Sequence, residues 1–135
     1  PDREILFRGK RLDNWEWIYG YYCCIGPAGK EKHYIIPTYA SAFYGIEVDP
    51  STVSRSTGLT DKNGTRIFEG DLCRVTRPCI LAYGKIAFSD GCFWFVDDGP
   101  GGMIRLGDIK PNGFEIEVIG NRWDNPELMG GEQLE

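Results

Sequence analysis

The amino-acid sequence predicts a mostly β protein: a small β-barrel or sandwich-like meander, with an N-terminal β segment and one short C-terminal helix. Three observations lead there. Runs rich in Val, Ile, Tyr, Phe and Trp recur along the chain, several of them alternating with period two. Turn residues punctuate them at short intervals, with 18 Gly and 8 Pro in 135 residues. Only the C-terminal end carries a helix start signal.

In order, residues 3 to 8 alternate, with Ile5 and Phe7 opposing Glu4, Leu6 and Arg8, and Gly9 is expected to close this strand. Leu12, Asp13 and Asn14 read as a turn before a long aromatic strand, residues 15 to 24, which completes a hairpin. Gly26-Pro27-Ala28-Gly29 breaks the chain, residues 32 to 38 resume a strand that ends near Pro37, and residues 45 to 49 form another short one. Asp49-Pro50-Ser51-Thr52 then suits a turn leading into a brief helical turn or loop, with a segment boundary nearby.

Asn63-Gly64 and Asp90-Gly91 are pairs that accept the positive φ angles of type I′ turns, and the second is flanked by strands at residues 83 to 89 and 92 to 96. Before it, residues 71 to 77 alternate up to the break at Pro78. After the loop at residues 97 to 102 come residues 103 to 109 and a last strand, 114 to 119, in which Phe114, Ile116 and Val118 alternate with Glu115 and Glu117. Asn125 followed by Pro126 and Glu127 starts a helix of at most two turns. The expected division is residues 1–57 as an N-terminal β segment, 58–123 as a small barrel of SH3-like kind, and 124–135 as an acidic tail carrying the helix.

The apolar share of 41% and charged share of 26% exclude wholesale disorder. No apolar run approaches the roughly 20 residues of a spanning helix. The charged start Pro1-Asp2-Arg3-Glu4 leaves no room for a secretory signal. A soluble protein of the cytoplasm, with no membrane partner, is therefore expected. Five cysteines without a C-x2-C pair argue against a disulfide framework or zinc site and for reduced thiols serving as small core residues. The net charge of −5 is concentrated in the tail, where Asp124, Glu127, Glu132 and Glu135 meet no Lys or Arg. Between Val53 and Lys85, six cations (Arg55, Lys62, Arg66, Arg74, Arg77 and Lys85) face three acids, a locally positive span.

No residue pattern points to catalysis, a cofactor or a metal. His33, the sole histidine, has no nucleophile signature near it in sequence and reads as structural or superficial. Asp71, Asp90 and Asp108 lie beside glycines as turn acids, and Gly99-Pro100-Gly101-Gly102 lacks a phosphate-loop pattern. The aromatic sets Trp15, Trp17, Tyr19, Tyr21, Tyr22 and Phe93, Trp94, Phe95 are expected to fill the core. Cys92 to Val96 is apolar on both strand faces, so its outer face calls for cover by another segment or another copy of the chain.

The stretches REILFRGK (3–10), VDPSTVSRSTGLTDKNGTRIFEGDLCRV (48–75) and VIGNRWDNPELM (118–129) resemble the YopX family of phage and prophage proteins. That resemblance implies a mostly β fold in the cytoplasm of an infected or lysogenic bacterium, and it carries over no catalytic residue. Asp61-Lys62-Asn63-Gly64 and Glu69-Gly70-Asp71, within the central stretch, read as turn chemistry. Cys23-Cys24 and Pro78-Cys79 belong to no motif. The expectation is a non-enzymatic accessory protein without cofactor, acting through self-association or a phage or host protein. The alternative is a nucleic-acid-binding barrel module resting on the six cations, against which the acidic total weighs. A small hydrolase rests only on plentiful acids.

Overall fold

A computed structural model of the chain describes residues 6–39 and 44–128. Residues 3–5 of the first expected strand and 129–135 of the expected tail lie outside them. The described residues form ten β-strands, all paired antiparallel where the register is defined, and two single-turn 3₁₀ helices. The mostly β class is as expected. The chain divides into two compact units, Pro1–Ser56 and Thr57–Glu135. Among the described residues no helix is long and apolar enough to cross a membrane.

In the N-terminal unit, β1 (Phe7–Arg11), β2 (Trp17–Ile25), β3 (Lys32–Pro37) and β4 (Ile46–Thr60, to Ser56 in this unit) pair in sequence, and β4 also pairs with β1, which closes a ring. Its interior is narrow: Ile18, Ile35 and Val48 are buried at the centre, with Phe7, Tyr22, Ile46 and Val53 packed around them. Closure at that width needs glycine. A Cβ on Gly20 would stand 2.0 Å from the Ile36 carbonyl oxygen. Gly9 was expected to end β1, but it lies inside the strand, where its missing side chain leaves room for Val48.

Pro50 does not end β4. Lys10 pairs with Asp49 and Arg8 with Ser54, so four residues of β4 bulge opposite Gly9. The expected turn chemistry is there, but it builds this bulge and no helical turn. Asp49 Oδ1 accepts from the Ser51 amide at 2.9 Å and hydroxyl at 2.8 Å. The buried Thr52 Oγ1 donates to the Asp49 carbonyl at 2.7 Å and accepts the Lys10 amide at 2.8 Å, which replaces the interrupted ladder.

The C-terminal unit begins with the end of β4, followed by β5 (Arg66–Phe68), which pairs with β4. An open sheet then meanders through β6 (Asp71–Arg77), β7 (Ile80–Ser89), β8 (Cys92–Asp97), β9 (Met103–Arg105) and β10 (Glu115–Asn121), in the order β10-β6-β7-β8-β9. Thus the pairing that closes a ring belongs to the N-terminal unit, whereas a barrel was expected in the C-terminal part. The C-terminal core gathers Ile67, Cys73, Val75, Ile86, Phe95, Leu106, Ile109 and Ile116.

Residues 103 to 109 do not form one strand, because Leu106 and Ile109 both enter this core. Three residues apart, they reach it together from the 3₁₀ turn Leu106–Asp108, which alternation would not allow. The strand expected from residue 83 starts at Ile80, since Pro78 and Cys79 form a two-residue hairpin link with Cys79 at φ 69°. The expected C-terminal helix is one 3₁₀ turn, Pro126–Leu128.

Asp90 (φ 52°) and Gly91 (φ 76°) make the type I′ turn. At Asn63-Gly64 only Gly64 is left-handed (φ 83°), and its amide donates to the Asp61 carbonyl at 3.0 Å. The turn therefore centres on Lys62 and Asn63 with a glycine bulge after it, and is not type I′. At Gly91 a β-branched residue would meet steric strain, so Gly91→Val is expected to destabilise by about 1 kcal/mol or more, read as a lower urea midpoint.

Candidate functional site

The two family motifs are spent on the fold. Asp61 is 3% exposed. Its carboxylate accepts the amides of Asn63 (2.8 Å), Thr65 (2.9 Å) and Val118 (2.9 Å). Burial alone would raise this carboxyl, but those three bonds, with Lys110 nearby, outweigh it and hold the group below its ordinary range. Asp71, also buried, accepts the Phe68 amide at 2.8 Å.

Other acids also serve locally. Asp108 pairs with Arg105 at 3.3 Å, and Asp97 Oδ1 accepts the Gly99 amide at 2.7 Å, which shapes the glycine-rich loop. Asp97 lines an apolar cavity of about 230 Å³ in the C-terminal unit with Val75, Ile80, Phe95, Ile104 and Phe114; its neighbour Asp98 does not, so no carboxylate pair meets there. Among the described residues no group of three or more His, Cys, Asp or Glu is placed to hold a metal ion.

Two of the six cations of the positive span face acids. Arg74 is ion-paired with Glu117 across β6 and β10, and Lys62 lies 4.0 Å from Glu115 and 3.9 Å from Glu117. Arg77 lies over the Phe114 ring at 5.2 Å. Of the cysteines, only Cys73 is a core residue; Cys24 and Cys79 are exposed and Cys23 and Cys92 half-buried, contrary to the expectation for them. His33 is half-buried, its Nδ1 2.6 Å from the Tyr22 hydroxyl and its Cα directly opposite Cys24.

The aromatics behave in two ways. Phe95 is buried in the C-terminal core and Phe93 packs against it, as expected. Cys92, Trp94 and Val96 on the other face are half-buried, in register with Ala87 and Lys85 of β7 and with Arg105 and Met103 of β9, and Leu81, Tyr83 and Met103 on that face are exposed. Of the β2 set, Tyr22 packs against a core and the others do not. Trp17, Tyr19 and Tyr21 alternate on the face opposite Ile18, and Tyr19 is 47% and Tyr21 44% exposed; Trp15, just before the strand, is 47% exposed.

Cations lie beneath these rings. Arg8 and Lys10, each 5% exposed, stand across from Tyr19 and Trp17. The Arg8 guanidinium carbon is 4.4 Å from the Trp17 ring centroid and its Nε donates to Ser54 Oγ at 3.1 Å. The Lys10 ammonium is 4.8 Å from the Trp17 centroid, 5.6 Å from that of Trp15, and donates to the Trp15 carbonyl at 3.1 Å. That last bond helps hold Trp15 at φ 61°, a left-handed conformation costly for a bulky residue.

The sequence reading missed this surface because alternation tells which residues share a face, not which face is inward. Lys10→Met keeps the stem but removes the charge, so it is expected to cost about 2 kcal/mol in a urea titration, the size of a desolvated cation–π contact. Asp61→Ala is expected to cost about 3 kcal/mol or more by stranding three amides. In the parent protein the Asp61 contribution is complete above the unfolded value near 3.8 and is lost as the pH falls from there through the lower folded value. The variant's stability should be correspondingly flatter in that acid range.

A family model described as YopX protein matches residues 6–130. Among curated proteins none matches the chain. Among solved structures, the crystal structure of protein EF1440 from Enterococcus faecalis is similar at 24% identity and a TM-score of 0.50, covering 93% of this chain and 98% of that one. At that identity the likeness speaks for the fold alone.

Proposed function

The chain belongs to the YopX protein family, and on that footing we propose that it is a non-enzymatic accessory protein of a phage or prophage. It works in the host cytoplasm by gripping another protein through the aromatic stripe of β2. The observation that carries this reading is the row Trp15, Tyr19 and Tyr21, exposed at 44–47% on one side of the N-terminal unit. Tryptophan and tyrosine supply large contact areas at little conformational-entropy cost and dominate binding hot spots. The buried Arg8 and Lys10 hold the tryptophans in place, which lowers the ordering cost of binding. Strain at Trp15 fits the same reading, since left-handed bulky residues persist mainly where a site needs them.

Nucleic-acid binding is the weaker reading. Neutralising phosphates needs accessible cations. Arg8 and Lys10 are buried against indoles, while Lys62 and Arg74 face Glu117.

The test is affinity capture from infected or lysogenic cells with the tagged protein and its Trp15→Gly/Tyr19→Ser variant, scored by quantitative mass spectrometry. Glycine relieves the left-handed strain, so the variant is expected to keep its circular dichroism spectrum while recovery of a specific protein falls at least tenfold. Equal recovery by both would overturn the proposal. Light scattering separates the occupants: a multiple of the 15.2 kDa chain mass that the variant dissolves identifies a second copy as the partner.

A further inference from the structure

Within the C-terminal unit, the cavity of about 230 Å³ is lined by a single polar side chain, that of Asp97. Val75, Phe95 and Ile109, all buried, make its floor, and the exposed Ile80, Gly101 and Gly102 stand at its rim. The rim cannot fill the space. Gly101 and Gly102 have no side chains, and their loop is fixed: the Asp97 amide donates to the Gly102 carbonyl at 2.8 Å, and Asp97 Oδ1 accepts the Gly99 amide at 2.7 Å. The other carboxylate oxygen lies against Gly101, where a Cβ would collide with Oδ2. Among the described residues Oδ2 has no hydrogen-bond donor and Asp97 no ion pair. The nearby cations are committed elsewhere. Lys85, in register with Val96, lies on the opposite face of the sheet. Arg77 is opposite Ile80, whereas Asp97 is opposite Gly84, about 13 Å along β7, and the Arg77 guanidinium lies over the Phe114 ring.

We infer that this cavity is a binding site for a small apolar amine: a primary ammonium group bonded to Asp97 Oδ2 at the rim, carried on one aromatic ring or branched alkyl group that fills the space below. The two ends of the site ask for those two ends of a ligand. Water suits the floor poorly, because no polar side chain there offers the two to four hydrogen bonds that hold a buried water. An apolar cavity of about 150 Å³ already takes a benzene ring, so the larger volume here has room for a ring and a short arm. At the rim, a half-buried carboxylate oxygen without a donor gains a charge-assisted hydrogen bond from an ammonium, whose three N–H groups leave two for solvent. An anionic ligand would be repelled by Asp97 and its neighbour Asp98, and a hydrocarbon would leave Oδ2 unsatisfied. The site lies in the C-terminal unit and does not depend on the β2 stripe.

The experiment titrates the whole isotope-labelled chain with phenethylamine and with its neutral counterpart phenethyl alcohol, following backbone amide shifts by nuclear magnetic resonance. The amine is expected to bind saturably with a Kd below about 1 mM and to move the amides of Gly101, Gly102 and Ile104. The alcohol should bind about tenfold more weakly, the worth of a hydrogen bond to a charged group. Asp97→Asn keeps an oxygen for the Gly99 amide and removes the charge, so it should weaken the amine about tenfold and leave the alcohol unchanged. Ala82→Leu, which fills the cavity from β7, should weaken both. The absence of saturable shifts at those amides overturns the proposal, as do equal affinities for amine and alcohol, or an amine affinity untouched by Asp97→Asn. If Ala82→Leu loses the parent's circular dichroism spectrum, the two ligands and Asp97→Asn decide.

Discussion

Three backbone amides, those of Asn63, Thr65 and Val118, converge on the Asp61 carboxylate in the interior of the C-terminal unit. The rest of that unit depends on this convergence. Two of the amides shape the turn between β4 and β5, which sets Ile67 into the core; the third belongs to β10 and fastens the last strand beside that turn. No other side chain fits. Asparagine would point an N–H group at one of the amides, and glutamate would need a longer cavity. The family motif around residue 61 is thus a folding instruction.

The N-terminal unit solves a different problem. A four-stranded ring encloses too little volume for large side chains on every strand, so Gly9 and Gly20 sit where neighbours come closest and the big residues of β2 are turned outward. Outward aromatics would ordinarily be loose and wetted. Here they are seated on Arg8 and Lys10, whose charges find ring faces, the Ser54 hydroxyl and the Trp15 carbonyl. The same narrowness therefore yields both the closure and the exposed, ordered stripe.

Much of this was legible in the residues, and what was not has definite causes. Asp90-Gly91 declared its turn because adjacent positive φ angles are a local demand that few pairs meet, and β6 occupies the predicted residues up to the break at Pro78. Pro50 misled, because a proline ends a strand only when its missing amide is needed, and in β4 the Thr52 hydroxyl takes over the contact with Lys10. The meeting of Cys24 with His33 was hidden by the break at residues 26 to 29. The break marks a hairpin tip, but the loop runs on to residue 31, so the register that pairs Ile25 with Lys32 and Cys24 with His33 is two residues away from the one the break alone would set. The outward turn of Trp17, Tyr19 and Tyr21 depends on ring closure, a long-range event with no local signature.

The C-terminal sheet is open, and an open sheet presents bare strand edges to other chains. On β10 the outer edge is taken: the Ile116 carbonyl accepts the Lys62 amide at 3.0 Å and the Val118 amide is held by Asp61. At the opposite margin β9 is only three residues long. Neither margin offers a ladder long enough to template a foreign strand. The sheet is in this way guarded against edge-to-edge aggregation, and the guard on β10 is the turn that the most recognisable part of the sequence encodes.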